Sequence, residues 1–301
     1  MTMLFQKGQG IQGNYYDIES GARASQGGII VQRRVDRYTA NTLDPDTGEP
    51  YDDSWTVFSL TDGDYRMRVG GENGRAYVLD VGKYHLNWKM ALGDFIDYHG
   101  AAGHKIVLAL GRKELDNALD CYRGHSCRDR VLRDHEPPVM IHSTTPECYE
   151  RIVRDGCLKS WNRLAQEGFF AGEEPIGRLL GDPAELRDYI LFGSGVTGEI
   201  VVSSREKRRI EMDWDRPYEP GARFYFDMRR IAADGLLIRD GSEMKVKDVL
   251  PLEPYLIWTA TAEGLDLGRG PATPRRFAEK ADLYFREHYR PDFRFEAYMG
   301  T

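Results

Sequence analysis

Three short segments of this chain carry side chains that can handle a polar or anionic ligand. The first is Val139-Met140-Ile141-His142-Ser143-Thr144-Thr145, an apolar strand that ends in a histidine and threonines. A helix signal follows at once. Thr144 or Thr145 suits the N-cap, Pro146 the first helical position, and Gly156 the left-handed residue that closes the helix before Cys157-Leu158. The strand end that bears His142 and Thr144 therefore lies beside a helix N-terminus. Backbone donors and the helix dipole there favour polar and negative groups. The same residues also read as a core histidine followed by a capping sequence.

The second segment is Ile176-Gly177-Arg178-Leu179-Leu180-Gly181-Asp182-Pro183, which runs on to Tyr189. Asp182 and Pro183 read as the cap and first residue of a helix. Arg178 stands just before that turn, where a guanidinium fork can grip phosphate or carboxylate. A surface arginine near a helix start has the same pattern. In the third segment, Gly241-Ser242-Glu243-Met244-Lys245-Val246-Lys247, alternation places Glu243 at a strand start, with Met244 and Val246 on the core side. A carboxylate there can hydrogen-bond a ribose hydroxyl and stabilise positive charge, as glycosidase carboxylates do. An exposed strand carboxylate looks the same in sequence.

The elements that must position these residues are of mixed type. Residues 1–52 are rich in Gly, Asp and Asn and read as loops and short strands. Ser54 to Leu60, Arg75 to Val81 and Lys105 to Leu110 read as strands. His85 to Tyr98, ending at Gly100, and Arg112 to Tyr122 read as helices. Pro137-Pro138 cannot continue a helix and marks a boundary. The expected organisation is a mixed α/β region over 1–136, an α+β unit over 137–262, and a C-terminal part over 263–301. That last part is a Gly/Pro-rich linker from Gly264 to Pro274 and a helix from Arg275 to His288.

Composition narrows the classes. The chain has 301 residues, 30% of them charged, and a formal charge of −7. No apolar run approaches the length of a membrane span, and the first residues lack the apolar core of a secretory signal. Four cysteines in such a length do not form a disulfide framework, so a reducing cytoplasm is the expected compartment. Net acidity argues against a broad non-specific DNA-binding surface. It leaves room for a local basic groove from residues 204–209 or from the arginines at 123–133, both of which also read as solvated faces.

Taken in order, the three segments resemble the ADP-ribosyltransferase fold. The nearest likeness is to DarT-type nucleic-acid ADP-ribosyltransferases. These have a His-x-Thr start, a helix ending in Gly-Leu, a Gly-Asp-Pro-Glu-like helix opening preceded by Arg, and a later strand led by Glu. Asp227 to Gly235 is also similar to a stretch of the tRNA 2′-phosphotransferases, which share that fold. Their Arg-x-His-x-His segment is replaced here by Arg163-Leu164-Ala165-Gln166. The resemblance covers residues 137–262 and implies a split β-sheet flanked by helices, with NAD as substrate. It implies that His142 and Thr144 contact the NAD ribose and the nicotinamide amide, and that Gly156 and Leu158 shape the pocket. Arg178 would hold phosphate or activate the acceptor, and Glu243 would orient the ribose and stabilise charge. Tyr189 and Tyr225 are the candidates for the stacking aromatic. The implied acceptor is DNA or RNA. A protein side chain as acceptor, and a non-catalytic ADP-ribose- or RNA-binding protein, are the alternatives. A toxin role, with a protein antitoxin or inhibitor as partner, is analogy with the family only.

Other signals fail on context. Gly8-x-Gly10-x-x-Gly13 lacks the strand and helix that a dinucleotide fingerprint needs. Cys121 and Cys127, with His125, fit no common zinc spacing. Phe192-Gly193-Ser194-Gly195 lacks the nucleophile elbow, and no Walker-type phosphate loop is present.

Overall fold

The computed structural model describes residues 16–17, 34–39, 42–63, 67–70, 74–122, 126–170, 173–175, 177, 182–205 and 209–290. The chain divides into two compact units, residues 1–69 with 74–126 and residues 127–301 with 70–73. The Gly8 to Gly13 stretch and Arg178 lie outside the described residues. Among the described residues no helix is long and apolar enough to cross a membrane.

In the first unit β1 (Tyr16–Asp17) pairs with β2 (Arg34–Val35). A five-stranded sheet contains β3 (Arg37–Thr39), β4 (Trp55–Thr61), β5 (Met67–Gly70), β6 (Tyr77–Gly82) and β7 (Lys105–Ala109) in the order β3-β7-β4-β6-β5. The central pairs are parallel, so the connection between β6 and β7 is a crossover through α1 (Trp88–Ala102). Alternation splits the strand side chains between two faces. Phe58, Leu79, Ile106 and Leu108 pack with Leu92 and Phe95 of α1, while Val57, Val107 and Ala109 face Tyr51. The helix runs past Gly100 and stops at Gly103, where φ is 78°. Only that glycine supplies the left-handed turn. Helix α2 (Arg112–Tyr122) follows β7.

The second unit is α+β. Its strands are β8 (Val139–Thr144), β9 (Cys157–Lys159), β10 (Tyr189–Leu191), β11 (Ala222–Asp227), β12 (Leu237–Arg239), β13 (Met244–Lys247), β14 (Val249–Pro251) and β15 (Leu256–Ala260). Its helices are α3 (Pro146–Asp155), α4 (Trp161–Gln166), α5 (Thr197–Ser204), α6 (Met228–Ala233) and α7 (Pro274–His288). Two antiparallel three-stranded sheets, β15-β11-β8 and β10-β13-β12, are joined by the bridge Ile141↔Gly193, with reciprocal hydrogen bonds of 3.1 and 2.8 Å. Strands β9 and β14 pair separately. Both faces of the β8–β11 pair are covered. Met140, Phe224 and Phe226 share a core with Leu158, Ile190, Phe192, Met244 and Val246. Val139, Ile141 and Tyr225 meet Phe277, Ala281 and Phe285 of α7 on the other side.

Arg239 explains why the division precedes the diproline. Its buried guanidinium pairs with Glu136 and donates to the carbonyls of Asp129 and Val131, both at 3.1 Å. Its backbone N–H donates to Cys127. Residues 127–136 are thereby tied to β12. In the C-terminal part the segment before α7 packs on the unit. Leu265 is buried in the α7 core, and Arg276 donates to the carbonyls of Leu267, Arg269 and Pro271. Asp182 does not cap a helix either, because a short 3-10 turn over Ala184–Asp188 follows Pro183 instead.

Candidate active site

The strand β8 delivers His142 and Thr144 to one face, and α3 begins immediately beyond. Thr145 is the N-cap, and its side chain accepts from the Cys148 N–H at 3.3 Å. Gly156 closes the helix with φ 64°. Thr145→Ala is expected to cost about 1 kcal/mol of stability, read by urea denaturation. Gly221 makes the corner possible. A Cβ there would lie 2.2 Å from the Thr145 carbonyl carbon and oxygen. Both atoms are backbone and cannot turn aside. Gly221→Ala should therefore displace the β8–α3 corner at a cost of about 1–3 kcal/mol, visible as a lowered melting temperature.

His142 is partly buried. Its Nδ1 lies 3.1 Å from the Leu191 carbonyl, which can only accept, so Nδ1 carries the proton. Burial holds the imidazole pKa below its usual value, against the raising effect of that hydrogen bond. The ring is neutral at pH 7, and Nε2 is left as an acceptor.

The same β10 strand leads to Glu243. Leu191 stands opposite Lys245 in the β10–β13 register. Lys245 is fully buried, ion-paired with Asp240, and its ammonium lies 4.8 Å from the centre of the Tyr189 ring. Asp240 accepts from the Glu243 N–H at 2.8 Å and from the Ser242 N–H and hydroxyl at 2.8 and 2.7 Å. Burial opposes the Asp240 charge, but Lys245 and these donors outweigh it and hold its carboxyl below the ordinary range. Glu243 behaves in the opposite way. Burial, then the charges of Asp240 and Asp182, push its carboxyl up to about 7, with Lys245 opposing. Its Oε2 is buried and has no hydrogen-bond partner among the described residues. A buried carboxylate oxygen without a donor is costly, and such atoms concentrate where a ligand supplies the missing bond.

Lys245 joins Tyr189 to Asp240, and Asp240 holds the Glu243 backbone, whereas His142 meets this group only at the Leu191 carbonyl. Thr144 shares the His142 side of β8. Leu158 is a fully buried core residue on β9, and Gly156 is the helix terminus. Tyr225 is a correction. It pairs with Ile141 and faces α7, on the side of the sheet away from Phe224 and His142. Its hydroxyl donates to Asp282 at 2.6 Å. It cannot stack on a ligand held by His142. Asp240 and Lys245 are not marked by the sequence, because strand alternation reads a lysine as outward.

Behind the site lies a buried charge network. Arg223 donates to Asp282 in a fork (2.8–3.0 Å) and to Glu199 at 3.3 Å. Glu199 also accepts from Ser143 at 2.5 Å and Tyr218 at 2.6 Å. Burial raises the Glu199 carboxyl despite Arg223. Ser143 separates His142 from Thr144 in the chain, so this network fixes the strand from its other face. No protein-family model, curated protein or solved structure matches the chain.

Proposed function

We propose that the second unit is an NAD-dependent ADP-ribosyltransferase that releases nicotinamide and transfers ADP-ribose to DNA or RNA. The observation that carries this reading is the Glu243 carboxyl, raised to about 7 and with Oε2 lacking a donor among the described residues. Such a group suits a ribose hydroxyl, which would supply the missing hydrogen bond. It also suits positive charge, which develops on the ribose as the bond to nicotinamide breaks and would favour the ionised form. His142 Nε2 offers a second acceptor for a hydroxyl. Tyr189 is the remaining aromatic candidate, beside Lys245 on the β10–β13 pair. Lys245 opposes in part the raising effect of Asp240 on Glu243. The meeting of two sheets at one bridge also supports the reading, because the family resemblance implies a split sheet. Arg178 keeps the role that the resemblance implies.

The test is incubation of the protein and Glu243→Gln with radiolabelled NAD and single-stranded DNA, tRNA, mRNA or lysate protein. Label on a nucleic acid that disappears in the variant supports the proposal. Label on protein alone replaces the acceptor. Intact NAD with no label anywhere ends the transferase reading in favour of a binding protein. A further expected result concerns pH. Because Glu243 acts as an anion, kcat/KM should rise with pH and level off above about 7. A flat profile from pH 5 to 8 would remove Glu243 from that role.

A further inference from the structure

We infer that Asp240 and Lys245 are positioning residues that present the Glu243 carboxylate to the ribose. Asp240 holds the Glu243 backbone, and Lys245 anchors Asp240 and places a buried cation near the carboxylate. In naming a ribose, this rests on the function proposed above. The two oxygens of Asp240 have separate partners. Oδ1 accepts from the Ser242 N–H at 2.8 Å, the Ser242 hydroxyl at 2.7 Å and the Glu243 N–H at 2.8 Å. Oδ2 accepts from the Lys245 ammonium. The Asp240 N–H donates in turn to the Glu243 carbonyl at 3.3 Å. Residues 240–243 therefore close on themselves, through Gly241 at a φ of 97°, where any other side chain would be strained. The anchor comes from the strand that follows. Lys245 lies in β13, the middle strand of its sheet, opposite Leu191 of β10 and Ile238 of β12. Lys245 is fully buried and Asp240 nearly so.

The turn alone does not call for the cation. Asp227 caps two N–H groups at the start of α6 with no ion pair among the described residues. Stability does not call for it either, because a buried ion pair often holds a fold no better than apolar residues of the same volume. The neighbour of the pair accounts for it. A carboxylate that meets developing positive charge needs a fixed direction and the ionised form together. Asp240 gives Glu243 the first, but it sets a like charge beside the carboxyl. Asp240 and Asp182 both raise the Glu243 carboxyl, and Lys245 is the cation that opposes them. A holding group that is itself an anion works against the group it holds unless a cation stands with it.

The test separates holding from charge. Each variant is read by carbon-13 NMR of the Glu243 carboxyl, assigned with Glu243→Gln, and by the pH profile of nicotinamide release. Lys245→Met removes the cation and leaves Asp240. The Glu243 midpoint should then rise by about one unit or more in both readings, a loss of about ten-fold in kcat/KM below pH 7. Asp240→Ala with Lys245→Met removes the hold as well, and kcat should fall about a hundred-fold with KM little changed. Asp240→Asn with Lys245→Met restores a neutral acceptor for the two N–H groups. Its kcat should exceed that of the alanine pair by about ten-fold or more, and its midpoint should lie below the parent's. A pair that serves the fold alone would lower all rates and leave the midpoint in place. The inference is overturned by an unmoved midpoint in Lys245→Met, or by an alanine pair with the parent's kcat. Should Lys245→Met not fold, the two paired variants decide, because neither leaves a lone buried charge. Midpoints that move as stated, in a parent that releases no nicotinamide, sink only the transferase. Release by the parent with unmoved midpoints sinks only the role given to this pair.

Discussion

Glu243→Gln should abolish most nicotinamide release and yet melt at a higher temperature than the parent at pH 8. The loss follows from the work assigned to the carboxylate, whose removal from a charge-stabilising position costs about a hundred-fold to a thousand-fold in rate. The gain follows from burial. A carboxyl whose folded pKa is about 7, against an ordinary 4.5, prefers to fold protonated. Its favourable contribution is complete below about pH 4.5 and is lost as pH rises through 7. At pH 8 the ionised group then costs about 3 kcal/mol relative to a neutral one. Glutamine is neutral throughout and keeps the shape, so the two proteins should converge near pH 5 and separate above 7. Differential scanning across that range reads the crossing. A variant that is both inactive and less stable at pH 8 would contradict the electrostatic account of the site.

Arg223→Met should destabilise the second unit by about 3–5 kcal/mol, the largest stability effect expected of a single substitution here. The arginine is fully buried, and its loss removes the cation that faces Glu199 and Asp282 in the interior. Burial already raises the Glu199 carboxyl, and with the opposing cation gone it folds best when protonated. The deficit should therefore shrink as pH falls from 7 towards 5. Adding Asp282→Leu should recover part of the loss, because a buried pair removed whole costs less than one broken in half. Urea denaturation of both variants checks the two statements. A loss below 1 kcal/mol in Arg223→Met would mean that water reaches the network.

Local signals were legible where one residue decides a backbone state. Thr145, Pro146 and Gly156 mark the ends of α3, and the strand before it and the helices at 112–122 and 274–288 follow their apolar periods. Glu243 stands one residue before β13, as alternation requires. Lys245 was illegible because alternation reads a lysine as outward. Strand β13 is the middle of its sheet, and Asp240 meets the ammonium inside. Tyr225 failed for a related reason, since nothing in a short apolar strand says which face a ligand will occupy. The Ser143–Glu199 and Arg223–Asp282 contacts join residues 56 and 59 positions apart, and no local pattern announces them.

The distance from Arg223 to Asp282 has a consequence for how the protein is made. Synthesis delivers Glu199 and β11 first, and the forked partner Asp282 arrives 59 residues after Arg223. Until α7 has emerged, Val139, Ile141 and Tyr225 have no Phe277, Ala281 or Phe285 to cover them. A chain released early, before residue 274, is therefore not a smaller version of this unit. It carries half of a buried ion network under an uncovered sheet.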